Sequence, residues 1–486
     1  MKVLLLFIAI SSSLLCAAVS AFATNHSRRH RQLSLSSVFG SDGAAKKESA
    51  SSMMMTSSLA DEYAIRTQSD RPNELCWDFI PINNFAEKQN NNAGVGTLAL
   101  KALDSCGHHM AQQERDTMIT HSLQCEWSKS SANVWSINVD RTTNETDDGN
   151  DFPRELDCVL SRIMVQYALS KITTTTPDSE EEARKGDDTI LLHVTLPLPE
   201  GLGCQQISLS HENYDDCVRH LFTPLNSEYA QMELVDMVNS NGEVLGSLPR
   251  PYVHTFNILH RGIGMIVTNK SIFDTNSNDT GGKLSTPDVY VHQRTSTKRV
   301  FPSLYDMFVG GVSTSREDAT WTAAREVAEE LGLKRALRVL EQGGDNNSLD
   351  NPLSNELFQC TICTSYNRCV VSMFAYTCDT SSETIKWQEE EVAWGGWVPY
   401  DVVEVAGKLS IDRLKEKQVW PGTGEDDYED ERVTNDESEA KMKDLKSKYN
   451  IDEQQERPWE SWDFVPDGLL VWVAWLKWVE GNADIL

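Results

Sequence analysis

GVSTSREDATWTAAREVAEELGL, residues 311–333, is the stretch whose reading decides the fold. Asp318 or Glu317 can open a helix here, because an acidic residue suits the positive end of the helix dipole. Gly332 can close it as the residue after the last turn. Between them Ala324, Val327, Ala328 and Leu331 fall at i, i+3, i+4 and i+7, which predicts one stripe buried against a core. Glu326, Glu329 and Glu330 fall at i, i+3 and i+4, so their carboxylates crowd onto one side. Like charges on one short patch repel, and the helix gains nothing from them. A hard divalent cation removes that cost, since Mg2+ takes carboxylate oxygens and phosphate oxygens together. Arg325 stands four residues before Glu329 and can hold it in place.

The segment also matches the Nudix signature at every fixed position. Gly311 is followed after five residues by Glu317, then after seven by Arg325-Glu326-Val327, then by Glu329-Glu330 and Gly332-Leu333. A chance match in one chain is on the order of one in a million at average residue usage. An amphipathic helix with a merely acidic face accounts for isolated glutamates, but not for Gly311, Glu317 and Arg325 at this spacing. Beyond the box, HRGIGMIV, HQRTSTKRVFPSLYDMFVGGV and WQEEEVAWGGWVP are similar to the branch that holds isopentenyl-diphosphate isomerases and related hydrolases. That likeness runs from about 230 to 405, with Phe464-Val465-Pro466-Asp467 opening a closing helix.

The resemblance implies an α/β fold, an α/β/α sandwich with a mixed sheet, and a loop-helix-loop that binds one or more Mg2+ or Mn2+ ions. Carried over by position, the metal ligands are Glu326, Glu329, Glu330 and the carbonyl of Gly311. The catalytic set is Glu330, Glu329 and Arg325, with Glu391 of the later QEEEV loop. A bound metal polarises a phosphoryl oxygen and lowers the pKa of an attacking water, and a carboxylate must take the proton. Glu330 and Glu391 are both candidates. Arg294 and Lys298 are candidates for binding the diphosphate, with exposed loop cations as the plainer reading. Two departures bear on the reaction. The isomerase carries a catalytic Cys in the loop before the Gly pair, where this chain has Pro302-Ser303-Leu304-Tyr305-Asp306. The isomerase also has a metal-binding His after that pair, where this chain has Val312. Both point to hydrolysis of a small-molecule diphosphate, such as a nucleoside diphosphate-X. An isomerase and a non-catalytic nucleotide sensor are the competing expectations.

Working outward, MELVDMVNSNGEVLG (232–246) reads as a hairpin turning at Asn241-Gly242. VYVHQR (289–294) reads as a strand. Apolar spacing at Leu156, Val159, Leu160, Ile163, Met164 and Tyr167 predicts a helix over 153–171. VWSINV (134–139) and ILLHVTLPL (190–198) read as strands, with a solvated loop between that helix and the second strand. The region 74–225 is thus an α+β unit without a catalytic motif, ahead of a Nudix unit at 228–486. His108, His109 and His211 have no ligand partner at metal-site spacing. The acidic run 424–446, within an insertion at about 420–460, reads as a solvated excursion. A last helix follows Pro466, with Leu469, Trp472, Val473, Leu476 and Val479 on its apolar face; Lys477 interrupts it as a membrane span.

The net charge of −29 repels phosphate backbones and argues against sequence-independent nucleic-acid binding. A small diphosphate escapes that argument, because a bound cation inverts the local field. Eleven cysteines in 486 residues are too dispersed for a disulfide scaffold. Cys360, Cys363, Cys369 and Cys378 lie closest together, either as a zinc site or as plain strand cysteines. Nothing in the sequence specifies an oligomeric state.

At the N-terminus, residues 1–21 have a Lys, an apolar run and a small-residue end, the pattern of a signal peptide rather than a span. Residues 22–70 are rich in Ser and Met, and their first part is basic and free of acids. The join Ala21-Phe22 resembles the bipartite presequence of algae with secondary plastids, such as diatoms, which implies plastid import through the ER. An ordinary secretory signal, giving a secreted or endomembrane protein, is the alternative.

Overall fold

The structure is a computed structural model that describes residues 76–82, 93–103, 119–131, 134–142, 154–174, 190–198, 201–209, 213–272, 287–298, 300–344, 351–364, 367–417, 420–421, 435–449 and 459–482. His108, His109, His211, the presequence and the loop at 175–189 lie outside them.

Strict alternation builds the first sheet. In β3 (Ile119–Ser131) and β4 (Val134–Thr142), Leu123, Cys125 and Trp127 face the same core as Trp135, Ile137 and Val139. With β1 (Cys76–Ile82), β2 (Ala93–Leu103), β5 (Ile190–Leu198) and β6 (Gly201–Leu209) they form a six-stranded sheet in sequential order. Only β4 and β5 pair in parallel. A parallel pair requires a crossover, and helix α1 (Arg154–Thr174) lies between these strands in sequence.

Helix α1 is buried nearly all round, polar Ser161, Arg162 and Gln166 included, because it is covered on more than one side. One face meets the sheet. Another meets α2 (Tyr214–Phe222) and a later hairpin. A short helix α3 (Ser227–Ala230) leads into that hairpin, β7 (Leu234–Val238) and β8 (Val244–Pro249), which turns at Asn241-Gly242 as the sequence predicts. Leu160, Ile163, Leu221, Val235 and Leu248 share one core. Burying each such side chain contributes roughly 1.5–3 kcal/mol.

The hairpin also starts the second sheet. After α4 (Arg250–Thr255) come β9 (His260–Thr268), β10 (Asp288–Arg294), β11 (Tyr305–Asp306) and β12 (Val309–Val312). Helices α5 (Ala319–Glu330) and α6 (Arg335–Glu341) follow, then β13 (Phe358–Cys363), β14 (Arg368–Thr377) and β15 (Val392–Pro399). The chain ends in α7 (Tyr400–Glu416), α8 (Asn435–Lys448) and α9 (Pro466–Gly481). Strand β9 is central, parallel to β14 and antiparallel to β12, so the sheet is mixed.

Adjacent β9 residues feed opposite layers. Met265 and Val267 pack with α5 and α6, whereas Ile266 packs with α7 and α9. This is an α/β/α arrangement. Among the described residues no helix is long and apolar enough to cross a membrane.

One sequence expectation is corrected. The acidic run from 435 onward lies in helix α8 rather than in a solvated excursion, and that helix buries Met442 and Leu445 with α7. Two apolar residues on one face of this highly charged segment are enough to dock it. Cys360, Cys363 and Cys369 occupy β13 and β14, in agreement with the strand reading, and Cys378 follows directly.

Candidate active site

Helix α5 carries the site. Asp318 caps it, accepting a hydrogen bond from the Thr320 N–H at 2.9 Å. Gly332 ends it at φ +70°, a backbone conformation that favours glycine. Ala324, Val327, Ala328 and Leu331 are buried against the sheet. That burial fixes the rotation of the helix, and so the direction of the polar residues between them.

Arg325 gathers the acids beside it. Its Nε and Nη2 donate to the two carboxylate oxygens of Glu317 at 3.1 and 3.0 Å, a bidentate pair. Its Nη1 donates to Glu326 at 2.8 Å and to Glu329 at 3.2 Å. Burial pushes the Glu317 carboxyl up, but Arg325 and the Thr322 hydroxyl together hold it below the usual range. The same three carboxylates raise Arg325 despite its burial.

The glutamates predicted to crowd together divide into two environments. The Glu329 side chain is 58% exposed beside Arg325, whereas Glu326 is only 13% exposed. Glu326 lies against the Gly311 backbone. A Cβ at position 311 would come within 2.2 Å of its carboxyl, so any other residue there displaces the Glu326 side chain. Burial raises Glu326 to about 7, against the pull of Arg325.

Glu330, one turn on, is pushed well above the ordinary value by burial first, then by Glu326, Glu391 and Asp306. Arg294 opposes the shift. Among the described residues no cationic side chain hydrogen-bonds to Glu330. Four carboxylates from three elements therefore share one field: Glu326 and Glu330 on α5, Glu391 before β15, and Asp306 on β11. Among the described residues no three His, Cys, Asp or Glu side chains converge closely enough to be a ready-made metal cluster.

Two cations, Arg294 and Lys298, lie near these acids. Lys298 donates to Glu391 at 2.6 Å, so it fixes a base candidate rather than standing free. The Arg294 guanidinium donates to the Val300 carbonyl at 3.3 and 3.2 Å. Backbone bonds hold the Glu391 loop against the end of α5: Gln388 N–H to the Glu330 carbonyl at 3.0 Å, and Lys386 N–H to that of Leu331 at 2.9 Å.

Sequence reasoning missed Asp306 and His292, which face each other across β10 and β11. Burial raises Asp306 to about 6 and lowers the His292 imidazole to about 3, with Arg294 and Lys298 adding to the second effect. Their neighbours along the chain gave no signal. Only strand pairing brings them to the site.

Residues 275–417 match the family described as NUDIX domain. The chain is 37% identical over 100 residues to an uncharacterized Nudix hydrolase of Streptomyces coelicolor, covering 21% of this chain and 47% of that one. It is 34% identical over 136 residues to one from Rhodococcus erythropolis, covering 26% and 64%. The chain thus spans about half to just under two thirds of the length of these relatives. Among solved structures it is similar to DR0079 from Deinococcus radiodurans (18% identity, TM-score 0.26, 38% of this chain and 98% of that one). It is also similar to the NUDIX domain of Shewanella oneidensis NrtR complexed with ADP ribose (14%, 0.20, 30% and 75%).

Proposed function

We propose that the protein is a hydrolase that cleaves the diphosphate bond of a small organic diphosphate, such as a nucleoside diphosphate-X, with Mg2+ or Mn2+. The observation that carries this reading is the enclosed Glu326 and Glu330, where burial first and neighbouring carboxylates second favour protons or a cation over free carboxylates. The donor set fits a hard divalent ion: oxygen ligands only, on one helical face, with Gly311 beside them. Glu326, Glu330 and the Gly311 carbonyl would hold it, with Glu329 able to swing in from solvent. When bound, the ion polarises a phosphoryl oxygen and acidifies water.

The residues around that site have separate tasks. Arg325 orients Glu326 and Glu329 through its hydrogen bonds. Glu391, held by Lys298 and facing Glu330, is positioned to accept a proton from an attacking water, and Glu330 is the other candidate base. Arg294 can turn from the Val300 carbonyl to a phosphate oxygen, which it recognises in a planar fork.

The test is a panel of nucleoside, sugar, coenzyme and prenyl diphosphates with product identification. Two phosphorylated products, or inorganic phosphate from a prenyl substrate, support hydrolysis. Conversion of isopentenyl diphosphate to its allylic isomer overturns it in favour of isomerisation. Tight binding without turnover overturns it in favour of a sensor. We also propose a plastid address, which rests on the presequence at 1–70.

A further inference from the structure

We propose that the N-terminal α+β unit sets the geometry of the catalytic loop, through a buried polar relay from Gln166 by way of Ser247 and Asp236 to residues 313–317. Gln166 and Tyr214 are then positioning residues for a reaction whose chemistry lies on α5. The proposal rests on the hydrolase reading for its kinetic arm only.

The relay begins on α1, where Gln166 is buried among apolar residues. Its amide makes a complete two-way pair with the backbone of β8: Nε2 donates to the Ser247 carbonyl at 2.6 Å, and the Ser247 N–H donates to Oε1 at 2.7 Å. The Tyr214 hydroxyl of α2 donates to the same Oε1 at 3.1 Å. A buried amide bonded through both its nitrogen and its oxygen resists displacement, because breaking those bonds leaves polar groups unsatisfied.

From Ser247 the relay crosses the hairpin. The Ser247 hydroxyl donates to Asp236 Oδ1 at 2.8 Å and lies 2.7 Å from the Ser315 hydroxyl. Asp236 is a buried carboxylate in the apolar strand LVDMV. Its other oxygen takes the Arg261 guanidinium and the backbone N–H of Arg316 at 3.1 Å. Such an acid inside a strand is costly unless its partners are fixed. Here two of those partners belong to, or adjoin, the catalytic loop.

The loop itself is held at the amides of residues 313, 315, 316 and 317. Ser313 N–H donates to Arg261, Ser315 N–H to Leu234 at 2.7 Å, and Glu317 N–H to Thr314. Arg316 sits at φ +63°, in the left-handed region that non-glycine residues seldom occupy. Its guanidinium lies over the Tyr214 ring at 5.0 Å, so the N-terminal unit supplies the contact that faces this strained residue. The next residue, Glu317, grips Arg325 with both oxygens, and Arg325 holds Glu326. A displacement at Gln166 is thereby passed to helix α5 through these hydrogen bonds and the short stretches of chain that join them.

Two variants of the full chain test this, Gln166→Leu and Arg316→Gly. Glycine accepts the positive φ, so the second relieves strain while removing the cation over Tyr214, which keeps the test open should Gln166→Leu fold poorly. Hydrogen exchange is followed at the amides of 313–317, with Val267 and Phe374 in the central sheet as reference, and kcat and KM are measured on the diphosphate that the wild type turns over. The proposal expects exchange at 313–317 to quicken at least 10-fold with the reference amides unchanged, and kcat to fall 3- to 30-fold with KM within 2-fold. A melting temperature kept within a degree or two in Arg316→Gly alongside that loss marks positioning rather than unfolding. Wild-type exchange at 313–317 in both variants, or KM rising with kcat intact, overturns the relay. If the wild type turns over no diphosphate, the exchange arm still decides the coupling, and only the hydrolase reading falls.

Discussion

Glu326→Gln should make the metal-free protein more stable while destroying its activity. At an ordinary value of 4.5 the carboxyl would ionise freely, whereas its surroundings raise it to about 7. Since a pKa unit corresponds to about 1.4 kcal/mol, the ionised group costs the fold about 3 kcal/mol above pH 7. The direction is that of a carboxyl raised on folding: the native state binds the proton more tightly, so stability falls as pH rises from about 4.5 to 7. Glutamine keeps the shape and removes that cost. It also weakens the Arg325 hydrogen bond at 2.8 Å, worth about 1 kcal/mol, so the net gain is about 2 kcal/mol. For a unit of this size that raises the melting temperature by about 4–8 °C. The assay is thermal unfolding in chelator at pH 8 and pH 5. The variant should melt higher at pH 8, and the gain should vanish at pH 5, where the wild-type carboxyl is protonated. A variant that melts lower at pH 8, or an equal gain at both pH values, refutes the reasoning.

Other perturbations have distinct signatures. Gly311→Ala places a methyl 2.2 Å from the Glu326 carboxyl, so kcat should fall about 100-fold, the cost of displacing a reacting group by about 1 Å, with far-UV circular dichroism unchanged. Arg325→Ala strands Glu317 and Glu326, which are largely enclosed, and should cost about 3 kcal/mol, seen as a melting temperature lower by about 6–12 °C; Arg325→Lys should restore only part of it. A fluorescent fusion of residues 1–70 should enter the plastid, and secretion of that fusion refutes the address.

Helix α5 was legible because its information is local. Asp318, Ala324, Val327 and Gly332 act within one helix, and the structure places each as its spacing predicts. The hairpin at 234–249 and strand 190–198 were legible for the same reason. Glu329 shows the limit of spacing, which groups it with Glu326 and Glu330. The depth of α5 against β12 and the reach of Arg325 then decide that Glu329 meets solvent. Asp306 and His292 could not be found locally, since pairing of β10 with β11 creates their surroundings. Asp236 did leave a signal, an acid amid buried LVDMV, but its meaning depends on Gln166, which arrives from another unit. Helix α8 was hidden by its charge, because Met442 and Leu445 are sparse on a polar background.

The centre of the account is that Glu326 and Glu330 form a cation site that stays unfavourable until it is filled. Titrating Mn2+ into the metal-free chain at pH 8, with free ion quantified by electron paramagnetic resonance, tests this most directly. The account predicts saturable uptake of at least one ion per chain, abolished by Glu330→Gln and weakened by Glu326→Gln. Uptake that persists unchanged in Glu330→Gln, or none in the wild type, contradicts it.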